Sequence, residues 1–276
     1  MNAHAHDAPA HLGATLQTVA DGQLAVAGDR LGWQGGHRHK GVHHARKSIR
    51  RVRAVLALAA TSLGPEADAL DGVLADINTS LSPVRDAQAL VEAIDRLCGQ
   101  TKNGKWLGLL ARVRRRAAEA RRDVMNAALA IDPGLAQVRR ALAQVATGLA
   151  RLPWSAVTRE DVDAAFLLSA KRAAKAARKA ARSEDIEAWH RWRRKARRQM
   201  QQQRILASAH DTHTPGHRDR DIAEHLGQQQ DCSLLLAFSA SDASPIPWAD
   251  ASQLEAFVQK KRARLRKALK KESSQS

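Results

Sequence analysis

The sequence predicts an all-α protein, and three observations carry that expectation. Strong helix formers, chiefly Ala, Leu, Arg, Gln and Glu, dominate its 276 residues. No stretch shows the apolar–polar alternation of a β-branched strand, and tyrosine is absent. Several long segments place apolar residues three and four positions apart, opposite rows of arginine and lysine. With a hydrophobic content of 44%, the chain can bury a sizeable core.

The elements follow in order from local signals. Residues 1–36 are weakly patterned, with a first helix expected over Leu12–Val26 and ended by Gly28. The loop GWQGGHRHKG then leads into a basic helix containing VHHARKSIRRVRAVLAL, residues 42–58. The stretch TSLGPEA stops that helix and NTSLSPVRD opens another, which CGQTKNGK closes. A helix over Lys105–Ala130 is separated by IDPG from one running to Leu152. After RLPWSAVT comes a basic helix over Arg159–Arg182. Ser183 with Glu184 and Asp185 then suits the positive end of a helix over Ile186–Ala209. Ile222–Ser239 and a last helix running into a polar tail complete the series.

Charge bounds the function. Lys and Arg number 45 against 28 Asp and Glu, a formal charge of +17, which favours a polyanionic partner and repels itself without one. Nucleic acid, anionic lipid and polyphosphate all qualify. No apolar run is long enough to span a bilayer, and the N-terminus lacks the basic and apolar regions of an export signal. Cys98 and Cys232 stand far apart with no Cys-x-x-Cys spacing, which argues against a disulfide framework or thiolate zinc site and fits a reducing cytoplasm.

At 100° per residue, His43, Arg46, Lys47, Arg50 and Arg53 fall within about a third of one helix circumference, opposite Val42, Ala45, Ile49, Val52 and Leu56. One face packs and the other presents cations. The pattern recurs 147 residues later, where His190, Arg193, Arg194 and Arg197 are backed by Trp189, Trp192 and Ala196. Here the apolar face is poorer, because Gln199 and Gln203 hold core-like positions. A Leu-x-x-x-x-Asp element recurs at an offset of 145, ending at Asp86 and Asp231. Two more basic helices stand about 148 residues apart: Arg112, Arg115, Arg116 and Arg122 share one face, and Lys260, Arg264, Lys267, Lys270 and Lys271 share the other. An internal duplication of a helical bundle follows.

The elements Val42-His43-x-x-Arg46-Lys47-x-x-Arg50-Arg51-x-Arg53, Arg85-Asp86, His190-x-Trp192-Arg193-Arg194-x-x-Arg197 and Leu226-Gly227-x-x-x-Asp231 resemble the CHAD family, the conserved-histidine α-helical domain, over about residues 35–272. The resemblance implies two four-helix bundles related by a pseudo-twofold axis, with a basic groove or pore between them that binds inorganic polyphosphate. It also implies residence at polyphosphate granules. On this reading 1–36 is an N-terminal segment with one candidate helix, 37–132 the first repeat, 133–272 the second, and 273–276 a polar tail. The second repeat departs from the first, with Met200 standing where Arg53 stands.

The chemistry agrees. A polyphosphate chain has no bases, so its receptor needs only closely spaced charge-assisted hydrogen bonds, which arginine forks on rigid helices supply. The binding set expected is His43, Arg46, Lys47, Arg50, Arg51, Arg53, Arg112, Arg115, Arg116, Lys171, Lys175, His190, Arg193, Arg194, Arg197, Lys260, Arg264 and Lys267. Other polyanions are further candidate partners.

Blander readings compete at each point. A basic helix is usually a solvated face with internal ion pairs, but RRVR, RVRRR and RWRRKARR have almost no acidic residue at i±4. AKRAAKAARKAAR, with Lys171 and Lys175, suits a groove border or an Ala/Lys-rich solvent helix equally. Asp86 and Asp231 read as caps or arginine anchors, since no second carboxylate keeps a fixed spacing to either. His37, His39 and His44, or His210, His213 and His217, lack a carboxylate or cysteine that would complete a metal site. The six tryptophans suit bundle cores. No enzyme activity, cofactor or metal is expected: the Glu-x-Glu-x-Lys signature of the triphosphatases joined to some CHAD domains is absent, as is a Gly-x-x-x-x-Gly-Lys loop. Two alternatives remain open, a helical nucleic-acid-binding protein and an accessory to a phosphate-metabolising enzyme. The lack of tyrosine, of a basic tail and of a recognised binding module counts against the first.

Overall fold

Several helix boundaries in the computed structural model, which describes residues 8–210, 217–240 and 246–274, have a local chemical cause. The elements are α1 (Ala8–Leu31), α2 (Arg38–Leu63), α3 (Pro65–Ser80), α4 (Ser82–Gln100), α5 (Gly104–Ile131), α6 (Ala136–Leu149), α7 (Arg159–Ala181), α8 (Ile186–His210), α9 (His217–Ala240) and α10 (Trp248–Ser274), with three short 3-10 turns. No strand occurs among the described residues. None of their helices is long and apolar enough to cross a membrane.

Gly64, at φ 75°, ends α2, and Pro65 starts α3. Asn103 caps α5, its side chain accepting from the backbone of Lys105 at 3.0 Å and Trp106 at 3.3 Å. Asp132 reaches across a left-handed pair, Gly134 and Leu135, to accept from Gln137 at 2.9 Å and Val138 at 3.2 Å, which caps α6. Thr158 caps α7 through the Asp161 amide at 3.1 Å. At the start of α8, Ser183 accepts from Asp185 and Asp185 from Glu187, as the RSED signal anticipates.

Several boundaries differ from the sequence reading: α9 begins at His217, not Ile222, α1 begins at Ala8, not Leu12, and two further differences have a visible cause. Helix α1 continues through Gly28 to Leu31, because Leu12, Leu16, Ala20, Leu24, Ala27 and Leu31 form one unbroken buried row that outweighs a single glycine. The helix expected to reach Leu152 stops at Leu149, where the Trp154 indole donates to the Leu149 carbonyl at 2.8 Å and satisfies the last turn.

Three apolar clusters hold these helices. The first joins the buried faces of α1, α2, α3 and α6 with Met125 of α5, Val162 of α7 and Ile205 of α8. The second joins α4 and α5 to α9 and α10, so helices from the two sequence halves share one core. The third is small: Ala176, Ala180, Ala188, Trp189, Trp192, Leu226 and Leu269 connect α7, α8, α9 and α10. Helix α1 packs along α2 as α7 packs along α8, and α4 pairs with α5 as α9 pairs with α10. This arrangement brings α2 and α8 against each other and α4 against α9.

Two glycines set the placement of the N-terminal helices. A Cβ on Gly41 would lie 2.2 Å from the Arg30 carbonyl oxygen, and one on Gly13 would lie 1.9 Å from that of Trp154. Both obstacles are backbone, so neither can swing aside. Gly41 also lies within a turn of His43, which couples the seat of α1 to the cationic face of α2. Gly41→Ala is expected to force the helices apart and to cost about 1–3 kcal/mol, as overpacking does. A lowered urea midpoint with unchanged slope would show it; a wild-type midpoint would mean that the close approach does not fix α1.

Candidate functional site

Arginines from three helices meet where α2 and α8 come together. Helix α2 presents His43, Arg46 and Arg50, helix α8 presents His190, Arg193 and Arg197, and Arg85 joins them from α4. Arg50 lies within electrostatic reach of Arg197, Arg46, Arg193 and Arg85. Arg46 in turn feels Arg85 and Arg197, and Arg193 feels Arg197 and Arg85. All five guanidiniums are half-buried.

Burial, followed by mutual repulsion, pushes Arg50 and Arg193 down to about 9, and burial also lowers Arg46 and Arg197. They remain charged at neutral pH. Compensation is sparse. Asp86 attracts Arg46, while Asp231 is tied to Arg96 and its own carboxyl is raised by burial. Arg85 approaches Glu92 only to 3.6 Å. Arg46 is the best anchored, its Nη1 donating to the Asn78 carbonyl and the Ser82 hydroxyl, both at 2.6 Å, at the α3–α4 junction. Buried nitrogens without a hydrogen-bond partner remain on Arg46, Arg50, Arg193, Arg85, His43 and His190. Such donors are costly to leave unpaired.

His43 is neutral at physiological pH, and His190 is shifted toward its neutral form. Burial and then the Arg85 charge hold His43 down to about 4, and burial lowers His190 against the opposing pull of Glu187. Burial is therefore the main reason these imidazoles lose their own charge, and the neighbouring arginines add to it.

The other expected residues disperse. Lys47 is exposed beside Arg50, Arg51 and Arg204, and Arg51 donates to Gln23 of α1 at 3.1 Å. Arg53 is removed from the central set, because α3 runs back along α2 and places Asp71 opposite it in a two-pronged pair at 2.7 and 2.9 Å. Arg112 makes the same kind of pair with Asp250, at 2.8 and 2.6 Å, Arg116 contacts Glu119 at 3.2 Å, and Arg115 is exposed. Arg194 is held by Glu187 at 2.6 Å. Lys171 and Lys175 stand exposed on α7, and Lys267 is exposed on α10. Lys260 and Arg264 line a separate cavity of about 420 Å³ between α4 and α10.

Some site residues escaped the sequence reading. Arg85 was visible only as part of a motif. Arg121 and His39 were not singled out for binding, yet Arg121 of α5 donates to Gln88 at 3.0 Å, burial and then the Arg121 charge lower His39, and both retain a buried unpartnered nitrogen. No group of three metal-ligating side chains occurs among the described residues, where Trp33 instead carries His37 and His44 against its ring edges. His213 and the side chains of His210 and His217 lie outside the described residues.

Fold and site together define an all-helical scaffold built around a cationic centre. The chain belongs to the CHAD domain family, whose model matches residues 20–240. Two solved structures are similar: PptA from Streptomyces chartreusis, at 20% identity and a TM-score of 0.65, covers 96% of this chain and 99% of its own. The crystal structure of the CHAD domain from the plant Ricinus communis has 19% identity and a TM-score of 0.65, with 99% and 95% covered. At these identities the likeness concerns the fold. No curated protein matches the sequence significantly.

The depressed His43 makes a prediction for the ligand-free protein. The unfolded chain takes up this proton near 6.5 and the folded chain only near 4. The stability that His43 contributes is thus present above the unfolded value and is lost as pH falls from about 6.5 through about 4. Melting temperatures across that window should fall less steeply for His43→Gln than for the wild type. Identical slopes would place the imidazole in water.

Proposed function

We propose that the protein is a non-catalytic receptor for inorganic polyphosphate, held through the central arginine cluster, and that it associates with polyphosphate granules in the cytoplasm. The observation that carries this reading is the convergence of Arg46, Arg50, Arg85, Arg193 and Arg197, all but Arg197 with a buried unpartnered nitrogen, and with too few carboxylates to neutralise them. A linear anion with a charge on every phosphate would satisfy all of them at once. Membership of the CHAD domain family supports the same ligand. Asp86 and Asp231 act as anchors in this reading, since Asp231 is already committed to Arg96.

Nucleic acid is the competing polyanion. Base recognition uses stacking faces, and the tryptophans nearest the cluster, Trp189 and Trp192, are buried in the third core and cannot stack on bases. Competition between long-chain polyphosphate and single- or double-stranded DNA at physiological salt is expected to favour polyphosphate. Its affinity should fall steeply with salt, as counterion release requires. DNA binding as tight or tighter would overturn the assignment.

Replacing Arg46, Arg50, Arg193 and Arg197 with alanine should weaken polyphosphate binding at every pH, by on the order of 1–3 kcal/mol for each lost charged contact. The free variant should melt no lower than the wild type, because it has lost mutual repulsion, and this separates lost binding from lost folding. Bound phosphate should raise His43 from about 4, so binding takes up a proton. Affinity therefore strengthens as pH falls from the bound value toward about 4 and is level below it. Calorimetry on the His43→Gln, His190→Gln double variant should show a flattened profile with most of the affinity kept.

A further inference from the structure

A second group of cations lies a little under half a turn around α8 from the first. On a helical wheel Arg193 and Arg197 share one stripe, whereas Lys195 and Arg198 share another roughly 150° away. The two stripes face different neighbours. Arg197 feels Arg85 and Asp231, but Arg198 feels Asp71, Arg53 and Arg172, and Lys195 feels Arg198, Arg172, Arg194 and Arg191. One turn beyond Arg198, the buried Gln202 donates to the Ala54 carbonyl of α2 at 3.4 Å, which seats α8 beside Arg53. Four helices thus contribute: α2 through Arg53, α3 through Asp71, α7 through Arg172, and α8 through Lys195 and Arg198.

The local charge balance is unfavourable without a ligand. Asp71 is the carboxylate that faces this group, and its two oxygens are taken by Arg53 at 2.7 and 2.9 Å. Among the described residues no carboxylate forms an ion pair with Arg172, Lys195 or Arg198. Lys195 and Arg198 are half-buried, so water screens them less than it screens surface lysines, while Arg172 is exposed and leaves the group open to solvent. A guanidinium fork, an ammonium and a rim guanidinium around a position with no anion of its own form a compact receptor for a tetrahedral oxyanion.

We propose that Arg172, Lys195 and Arg198, braced by the Arg53–Asp71 pair, form a second phosphoanion site separate from the central arginine cluster. Either a free short phosphate anion or a second segment of a long polyphosphate chain would satisfy it. For a long chain the two sites act as tethered receptors, and the second engagement raises overall affinity through effective concentration alone.

Calorimetric titration with tripolyphosphate tests the proposal without requiring a long chain. The wild type should bind two equivalents. The Arg172→Gln, Lys195→Gln, Arg198→Gln variant should bind one, and the Arg50→Gln, Arg193→Gln variant should retain the other. The triple variant should also lose roughly tenfold or more in affinity for long-chain polyphosphate as tethering is removed. If tripolyphosphate shows two equivalents but long chains are unaffected, the occupant is a free short anion. One equivalent in the wild type, abolished by the central substitutions and untouched by the triple ones, would overturn the second site while leaving the first intact. Two equivalents that survive the central substitutions would instead refute the central reading. Should the triple variant fold poorly by circular dichroism, Arg172→Gln alone, on the exposed rim, must still weaken the second equivalent.

Discussion

Like charges held close together in a half-buried space are the constraint on which this structure turns. Arg46, Arg50, Arg85, Arg193 and Arg197 repel one another and have surrendered part of their hydration, so the scaffold must supply the free energy that keeps them in place. It does so with apolar faces turned away from the charge. Val42, Ala45, Ile49, Val52 and Leu56 are buried behind the α2 stripe. On α8 the burden falls on two large side chains, Trp189 and Trp192, both fully or nearly fully buried. A free protein strained in this way is stabilised by whatever anion relieves the repulsion.

The surrounding contacts limit how far the cluster can relax. Arg46 is fixed by the α3–α4 junction through Asn78 and Ser82, and Arg53 by Asp71 two turns further along the same face. Helix α3 therefore splits one cationic stripe into two environments, a clamped arginine that still offers a free Nε and one already neutralised. At the far end, Arg266 packs over Trp189 at 5.2 Å while donating to Glu184 at 2.6 Å, so a cation from α10 serves structure.

Much of this was legible in the sequence, and its gaps have physical causes. The α2 and α8 stripes were visible because a helical wheel reports one face reliably, and that face is where the arginines meet. The wheel does not show which neighbour will cover a face. Arg53, Arg112, Arg116 and Arg194 look as free in sequence as Arg50 does, yet each finds a carboxylate, two of them on another helix. Arg85 and Arg121 each bring a charge from helices α4 and α5, and neither lies on a cationic stripe of α2 or α8, so the wheel of those helices does not mark them. The sequence understates the length of α1, because Gly28 is a visible local stop signal while the burial of the row from Leu12 to Leu31 appears only in the fold.

The two-sided charge of α8 also accounts for its odd composition. With cations on two stripes, less than half of the circumference is left for packing, and part of that strip faces a cavity in place of a full core. Gln199, Met200 and Gln203 lie there, lining a cavity of about 460 Å³ with Ala173, Ala177 and Trp192 between α7, α8 and α9. Alanines on α7 keep that helix close enough for the two tryptophans to reach their core, and glutamine tolerates a half-wet wall that leucine would not. The glutamines that weaken the second half as a copy of the first are therefore what a helix serving two cationic faces requires.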